Sequence, residues 1–163
     1  MPTRIELLSG RHRREGFDCG EPALNGFLVR LAGQQQRRGI GKTYVALAAD
    51  GETVAGFVTL SAGQVATAGM PNARTLPRCP VPVLRIGRLA VDRGAQGQGV
   101  GQDLLAFALQ LALSLSRQIG LYAVVVDAKH ERAAAFYRKL GFAATLDNAL
   151  CLYLPLSLLA KTQ

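Results

Sequence analysis

The sequence predicts a mixed α/β fold, a central β-sheet with flanking helices, and three stretches carry that prediction. Residues 84–101, LRIGRLAVDRGAQGQGVG, begin as a strand on Leu84, Ile86, Leu89 and Val91 and close at Asp92-Arg93-Gly94. They then climb a glycine ladder, Gly94, Gly97, Gly99 and Gly101, into DLLAFALQLALSLSRQ, a Leu- and Ala-rich helix with no Pro or Gly. Residues 121–127, LYAVVVD, read as a strand buried on both faces. Two apolar strands, 43–49 and 53–61, flank Asp50-Gly51-Glu52, a hairpin signal. Strand, long helix and buried strand make a parallel crossover, so the sheet is mixed.

The remaining elements follow in order. Residues 3–8, TRIELL, alternate as a first strand and turn at Ser9-Gly10. Pro22 sits in the first turn of a helix, where its missing N–H is harmless. Leu24, Phe27, Leu28 and Leu31 then fall at i, i+3, i+4 and i+7, an apolar stripe. Residues 33–42, GQQQRRGIGK, continue as helix or as a solvated connector. Residues 62–83 hold Pro71, Pro77, Pro80 and Pro82 and read as one long loop leading into the central strand. Residues 131–140 form a short helix stopped by Gly141, and residues 142–154 a closing hairpin that turns at Asp147-Asn148.

At 163 residues, 49% apolar and 18% charged, the chain is expected to be one globular domain, 1–163. Its longest apolar run, 104–115, is broken by Gln110 and Ser114 and falls short of the roughly 20 residues of a membrane span. Arg4, Glu6 and Arg11 leave no room for an export signal, so a cytoplasmic protein with no membrane partner is expected. Cys19, Cys79 and Cys151 have no metal-ligand spacing; no metal is expected, and the cysteines read as small buried apolar residues. The net charge of +8 concentrates in an early arginine group and in a second group around Arg74 to Arg93, which favours a polyanionic partner.

The glycine ladder suits a phosphate. Amides of a helix's first turn have no partner within the helix, and glycine lets an anion approach the backbone. The spacing G-Q-G-V-G is not a GxGxxG dinucleotide fingerprint, and Gln102-Asp103 after Gly101 is not the end of a Walker loop. Gln96 to Gly101, QGQGVG, does fit [QR]-x-x-G-x-[GA], and AFYRKLGF, residues 135–142, places an aromatic-rich helix before LGF. On these two motifs the chain resembles the GNAT superfamily of acyl-CoA-dependent N-acetyltransferases.

That resemblance implies the GNAT fold, with splayed fourth and fifth strands, and acetyl-CoA as co-substrate. It implies coenzyme contacts at Leu89, Ala90 and Val91, where pantetheine pairs like an extra strand, and at Gln96, Gly97, Gln98, Gly99, Val100, Gly101 and Gln102. Ala128, Ala133 and Phe136 are implied as further contacts, although Ala128-Lys129 stands where many members carry asparagine. Tyr137 matches the family's proton donor to the departing thiolate, with Phe136 the better candidate for the core. No residue stands out as general base; Asp127, His130 and Glu131 are nearby in sequence.

Within the superfamily, FDCGEPALNGFL, VPVLRIGRLAVD and VDAKHERAAAFYRKLGF resemble the acetyltransferase toxins of type II toxin–antitoxin modules. This implies acetylation of the α-amino group of aminoacyl-tRNA, a homodimer, and an antitoxin with a ribbon-helix-helix part. Arg30, Arg37, Arg38, Arg74, Arg78 and Arg85 then become candidate phosphate contacts, with structural ion pairs the alternative for Arg85 and Arg88. Tyr44, Phe57 and Tyr122 are too few for a base-stacking platform, so backbone charge would dominate recognition. Acetylation of a protein N-terminus, a lysine or a small amine is the competing function.

Overall fold

The computed structural model describes residues 3–70, 73, 76 and 80–160. Its elements are β1 (Ile5–Leu7), α1 (Pro22–Gly26), a π-helical turn (Phe27–Leu31), α2 (Ala32–Arg37), β2 (Lys42–Leu47), β3 (Val54–Val65) and β4 (Val81–Val91). They continue with α3 (Val100–Ser116), β5 (Ala123–Asp127), α4 (Glu131–Lys139), β6 (Ala143–Ala144), β7 (Cys151–Pro155) and α5 (Leu156–Ala160). The seven strands lie in the order β1-β2-β3-β4-β5-β7-β6. β4 and β5 are parallel from Val83↔Ala123 to Ile86↔Val126, and the β1–β2, β2–β3, β5–β7 and β6–β7 pairs are antiparallel. The expected mixed sheet is therefore present. No helix among the described residues is long and apolar enough to cross a membrane.

The chain forms two compact units, Met1–Ser61 with Gly87–Ala108 and Ala62–Ile86 with Leu109–Gln163. In the first, Leu24, Phe27, Leu28 and Ala32 pack on Val45, Leu47, Phe57 and Ala90. Gln36 fastens α2 through its side-chain amide, donating to Leu8 O and accepting from Thr43 N, both at 2.9 Å. The β2–β3 turn is held by Asp50, which accepts from the backbone N–H groups of Glu52 and Thr53. The Thr53 hydroxyl, which donates to Asp50 Oδ2, and then these two amides hold the Asp50 carboxyl at about 2.

The helical stripe differs from its expected phase. Leu24, Phe27 and Leu28 are buried, but Leu31 is 44% exposed and Ala32, at 1%, takes the inward position. The cause is the π turn, in which Ala32 N–H reaches back to Phe27 O, one residue further than an α bond. The extra residue rotates everything downstream by about 100°. Arg14 supplies the turn with an outside donor, Nη1 to Leu28 O at 3.2 Å.

In the second unit, Val81, Val83, Ala123, Val125 and Tyr153 form a cluster with Met70. The loop expected over 62–83 is shorter, because β3 continues to Val65 and β4 already begins at Val81. Pro82 is tolerated as the second residue of the strand, where its missing N–H costs little. Cys19 and Cys151 are half-buried at the margins of the two clusters rather than inside them, and Cys79 lies outside the described residues.

Candidate active site

The glycine ladder lies wholly in the first unit. β4 ends at Val91, and Asp92 opens a 3₁₀ turn, Arg93–Ala95, by accepting from Gly94 N at 2.9 Å. Gly97 and Gly99 follow with φ of +81° and +85°, a left-handed backbone that costs an L side chain about 1–2 kcal/mol. A Cβ on either would meet nothing within 4 Å, so the surface they turn outward is open. Asp103 N–H donates to Gly99 O at 3.0 Å, the bond that opens α3. The amides of Val100, Gly101 and Gln102 thus precede the helical ladder. Gly56 allows this helix start to sit close to the sheet: a Cβ there would come within 3.0 Å of Ala90 O and 3.1 Å of Val100 and Leu104 side-chain carbons.

Left-handed glycines on an open surface, followed by unpaired amides at the positive end of a 17-residue helix, fit a diphosphate. Gln96, Gly97, Gln98, Gly99 and Gln102 are exposed, Gly101 is half-buried and Val100 is buried against the sheet. The side chain of Gln96 faces the protein instead, donating to Val91 O at 3.0 Å and Cys19 O at 3.3 Å. A cavity of about 920 Å³ opens along the flank of the ladder, reaching Asp92, Gly94, Gln98 and Val100 from the β2–β3 hairpin. Leu89 and Val91 are half-buried and Ala90 buried on β4.

The second unit carries the other predicted residues. His130 caps α4, its Nδ1 accepting from Ala133 N at 3.2 Å, so that amide is already engaged. Ala128 is buried and donates its N–H to Leu150 O at 2.7 Å. Tyr137 is 5% exposed, with Phe136 and Phe142 edge-on at ring-centroid distances of 5.2 and 5.6 Å. Phe136 is only half-buried. The expected order of burial is therefore reversed: of the two aromatics Tyr137 is the more deeply buried and Phe136 the half-open one. Burial pushes the Tyr137 phenol well above its ordinary range, so it keeps its proton at neutral pH.

The arginines divide. Arg30 and Arg37 are exposed on the π turn and α2, and Arg38 is exposed just beyond α2. Arg30 lies back over Gly26, where a Cβ would come within 2.6 Å of its Nη2, and Arg37 lies 3.5 Å from the same position on Gly33. Each guanidinium thus rests where the fourth preceding residue has no side chain. Arg85 pairs with Asp127, while Arg88 stacks over the Phe27 ring at 3.8 Å. Arg74 and Arg78 lie outside the described residues. Phe57 is fully buried and Tyr44 packs on Phe107 at 4.7 Å, which withdraws both from base stacking. Among the described residues no group of three or more His, Cys, Asp or Glu gathers in metal-binding proximity.

Sequence reasoning missed the acidic network behind the ladder. Asp18 accepts from Gly20 N at 2.9 Å and Asn25 Nδ2 at 3.0 Å, and Asn25 Oδ1 accepts from Cys19 N at 2.9 Å. The Gly20 amide, then Asn25, holds the Asp18 carboxyl below its usual range. The signal was present: Asp18 and Asp92 each stand two residues before a glycine, the spacing of a side-chain-to-backbone turn.

This glycine turn at a helix start belongs to a transferase: the Acetyltransferase (GNAT) family matches residues 14–142, and the chain is a member of that family. Its relatives include the tRNA-acetylating toxin of Mycobacterium tuberculosis, 39% identical over 140 residues, 85% of this chain and 82% of that protein. Among solved structures it is similar to AtaT complexed with acetyl-methionyl-tRNAfMet, at 32% identity and a TM-score of 0.92 over 98% of both chains. It is also similar to a tyrosine-to-phenylalanine mutant of the AtaT toxin bound to acetyl-CoA and the C-terminus of the antitoxin AtaR, at 31% identity and a TM-score of 0.86 over 100% of both chains.

Proposed function

We propose that this chain is an acetyl-CoA-dependent toxin that acetylates the α-amino group of aminoacyl-tRNA and so blocks translation. The observation that carries the coenzyme half is the pair of left-handed glycines, Gly97 and Gly99, delivering unpaired amides to an open surface. The relatives' tRNA and acetyl-CoA complexes support the substrate.

In this reading the amides of Gln98 to Gln102 and the dipole of α3 grip the diphosphate. Leu89, Ala90 and Val91 offer main-chain groups to the pantetheine, and Ala128, Ala133 and Phe136 line its path. Acetyl-CoA supplies an activated thioester. The Tyr137 hydroxyl gives its proton to the departing thiolate, and a main-chain N–H of β4 stabilises the charge that grows on the acyl oxygen. An aminoacyl ester has a less basic amine than lysine, whose pKa is about 10.4, so it attacks without a dedicated base; the proton it sheds passes to water, and the phenolate is reprotonated from water. Arg30, Arg37, Arg38, Arg74 and Arg78 hold phosphates of the acceptor; Arg85 does so only by giving up Asp127.

The same reading makes the two units one working domain in a cytoplasmic, metal-free homodimer, silenced by a ribbon-helix-helix antitoxin. The deciding experiment incubates the protein with labelled acetyl-CoA and charged tRNA, and digests the product to its amino acid. N-acetyl-aminoacyl product made by wild type and lost in Tyr137→Phe bears the reading out. Label on protein or polyamine, with none on charged tRNA, overturns it.

A further inference from the structure

The turn that precedes the glycine ladder is clamped from outside its own strand. Asp92 Oδ1 accepts from Asp18 N at 2.9 Å, while Oδ2 accepts from Gly94 N at 2.9 Å. Arg93 N donates to Asp18 O at 2.8 Å, and Asp92 N to Ala55 O at 2.8 Å. Gln96 adds its amide, bridging Val91 O and Cys19 O. Residues 18–19 and 92–96, more than seventy positions apart, are thus tied by main-chain and side-chain bonds on both sides. Asn25 in α1 holds the far end of the tie through Asp18 and Cys19.

We propose that Asp92 is a positioning residue for the coenzyme: by joining Asp18 to Gly94 it fixes where β4 stops, and hence where Gly97 to Gly101 present their amides. This rests on the reading of that ladder as the diphosphate grip. Each oxygen of the carboxylate is already engaged by a main-chain N–H group, of Asp18 and of Gly94. Its work is geometric, and the cost is electrostatic, since it brings a negative charge close to a site for an anion.

That conflict of sign makes the inference testable. If charge alone mattered, neutralising Asp92 would relieve repulsion and tighten acetyl-CoA, most visibly at low salt. As a clamp, Asp92→Asn leaves one of its two N–H donors facing an amide, and Asp92→Ala leaves both without an acceptor. KM for acetyl-CoA then rises about tenfold, the size of one hydrogen bond lost from a fixed loop, while kcat at saturation stays within about twofold. S-acetylpantetheine, an acyl donor without the diphosphate, reports on the same variants with its KM moved less than about twofold.

A rise in KM confined to acetyl-CoA supports the clamp. Unchanged or tighter acetyl-CoA use overturns it, and so does an equal loss with both donors, which signals general damage. Should Asp92→Ala not fold, Asn25→Ala loosens the far end of the tie at Asp18 and Cys19; the same split, smaller, is expected, and its absence overturns the proposal. Wild-type protein that binds no acetyl-CoA in a calorimetric titration would overturn the diphosphate reading and this inference together. Wild-type binding with indifferent Asp92 variants would overturn the inference alone.

Discussion

Gln96 to Gln102 and Tyr137 serve one proposed reaction but are built in opposite ways. The first set is mostly exposed, acts through main-chain amides, and owes its shape to two positive-φ glycines. The second is a single hydroxyl on a side chain 5% exposed, held by Phe136 and Phe142. Gripping an anion is a matter of backbone direction, so the exposed side chains of Gln98 and Gln102 are free to vary. Donating a proton is a matter of one oxygen in one place, so packing has to fix it. Binding and chemistry should therefore fail separately.

The sharpest break between them is Tyr137→Phe. Acetyl transfer to aminoacyl-tRNA should fall about 10²–10⁴-fold, the usual range for a lost general acid, with acetyl-CoA affinity within about twofold of wild type. Single-turnover kinetics beside calorimetric titration measure both; a matched loss of affinity would erase the distinction.

A second contrast lies inside the first unit. Leu28→Ala, at a site with no exposure, should cost about 2–5 kcal/mol in urea unfolding, and Leu31→Ala, turned outward by the π turn, less than about 0.5 kcal/mol. Equal costs would mean that the helix is continuous in solution.

Gly99→Ala is the mirror of the tyrosine variant. Forcing an alanine to φ +85° should weaken acetyl-CoA about tenfold and leave kcat at saturation nearly intact.

The smallest effects concern pH. The folded Tyr137 holds its proton to higher pH than the unfolded phenol, whose ordinary value is 10.0. Its contribution to stability is complete below about pH 10 and is lost as pH rises further, so Tyr137→Phe should flatten the alkaline limb of the unfolding midpoint. Asp50 has the opposite sign. Its folded value of about 2 lies below the ordinary 3.8, so its contribution is present above about pH 4 and fades towards pH 2. Asp50→Asn should flatten the acid limb only.

Much of this was legible in the sequence because the relevant physics is local. The ladder, the Asp50-Gly51 turn and the end of α4 each rest on a backbone state that glycine or aspartate announces within a few residues. What stayed hidden depends on distance or phase. Nothing in the composition of residues 27–31 marks the additional residue that exchanges Leu31 for Ala32. Tyr137 and Phe136 are neighbours on one helix, and which of them is buried follows from how α4 is rolled on its support, where Phe142 closes over the tyrosine. Asp92 and Asp18 each suggested a local turn, but their bond to one another spans most of the first unit's sequence.

The π turn has a consequence for how this protein can change. Up to Leu28 the helix is locked in place by the aromatic and aliphatic residues beneath it; past Ala32 its direction is set afresh. A chain that gains or loses one residue there can re-aim Arg37 and Arg38 by more than a quarter of a circle without disturbing a single core contact upstream. With Arg37 and Arg38 holding the acceptor as proposed, an insertion at this joint re-aims that contact while the turn at Gly97 to Gly101 stays as it is.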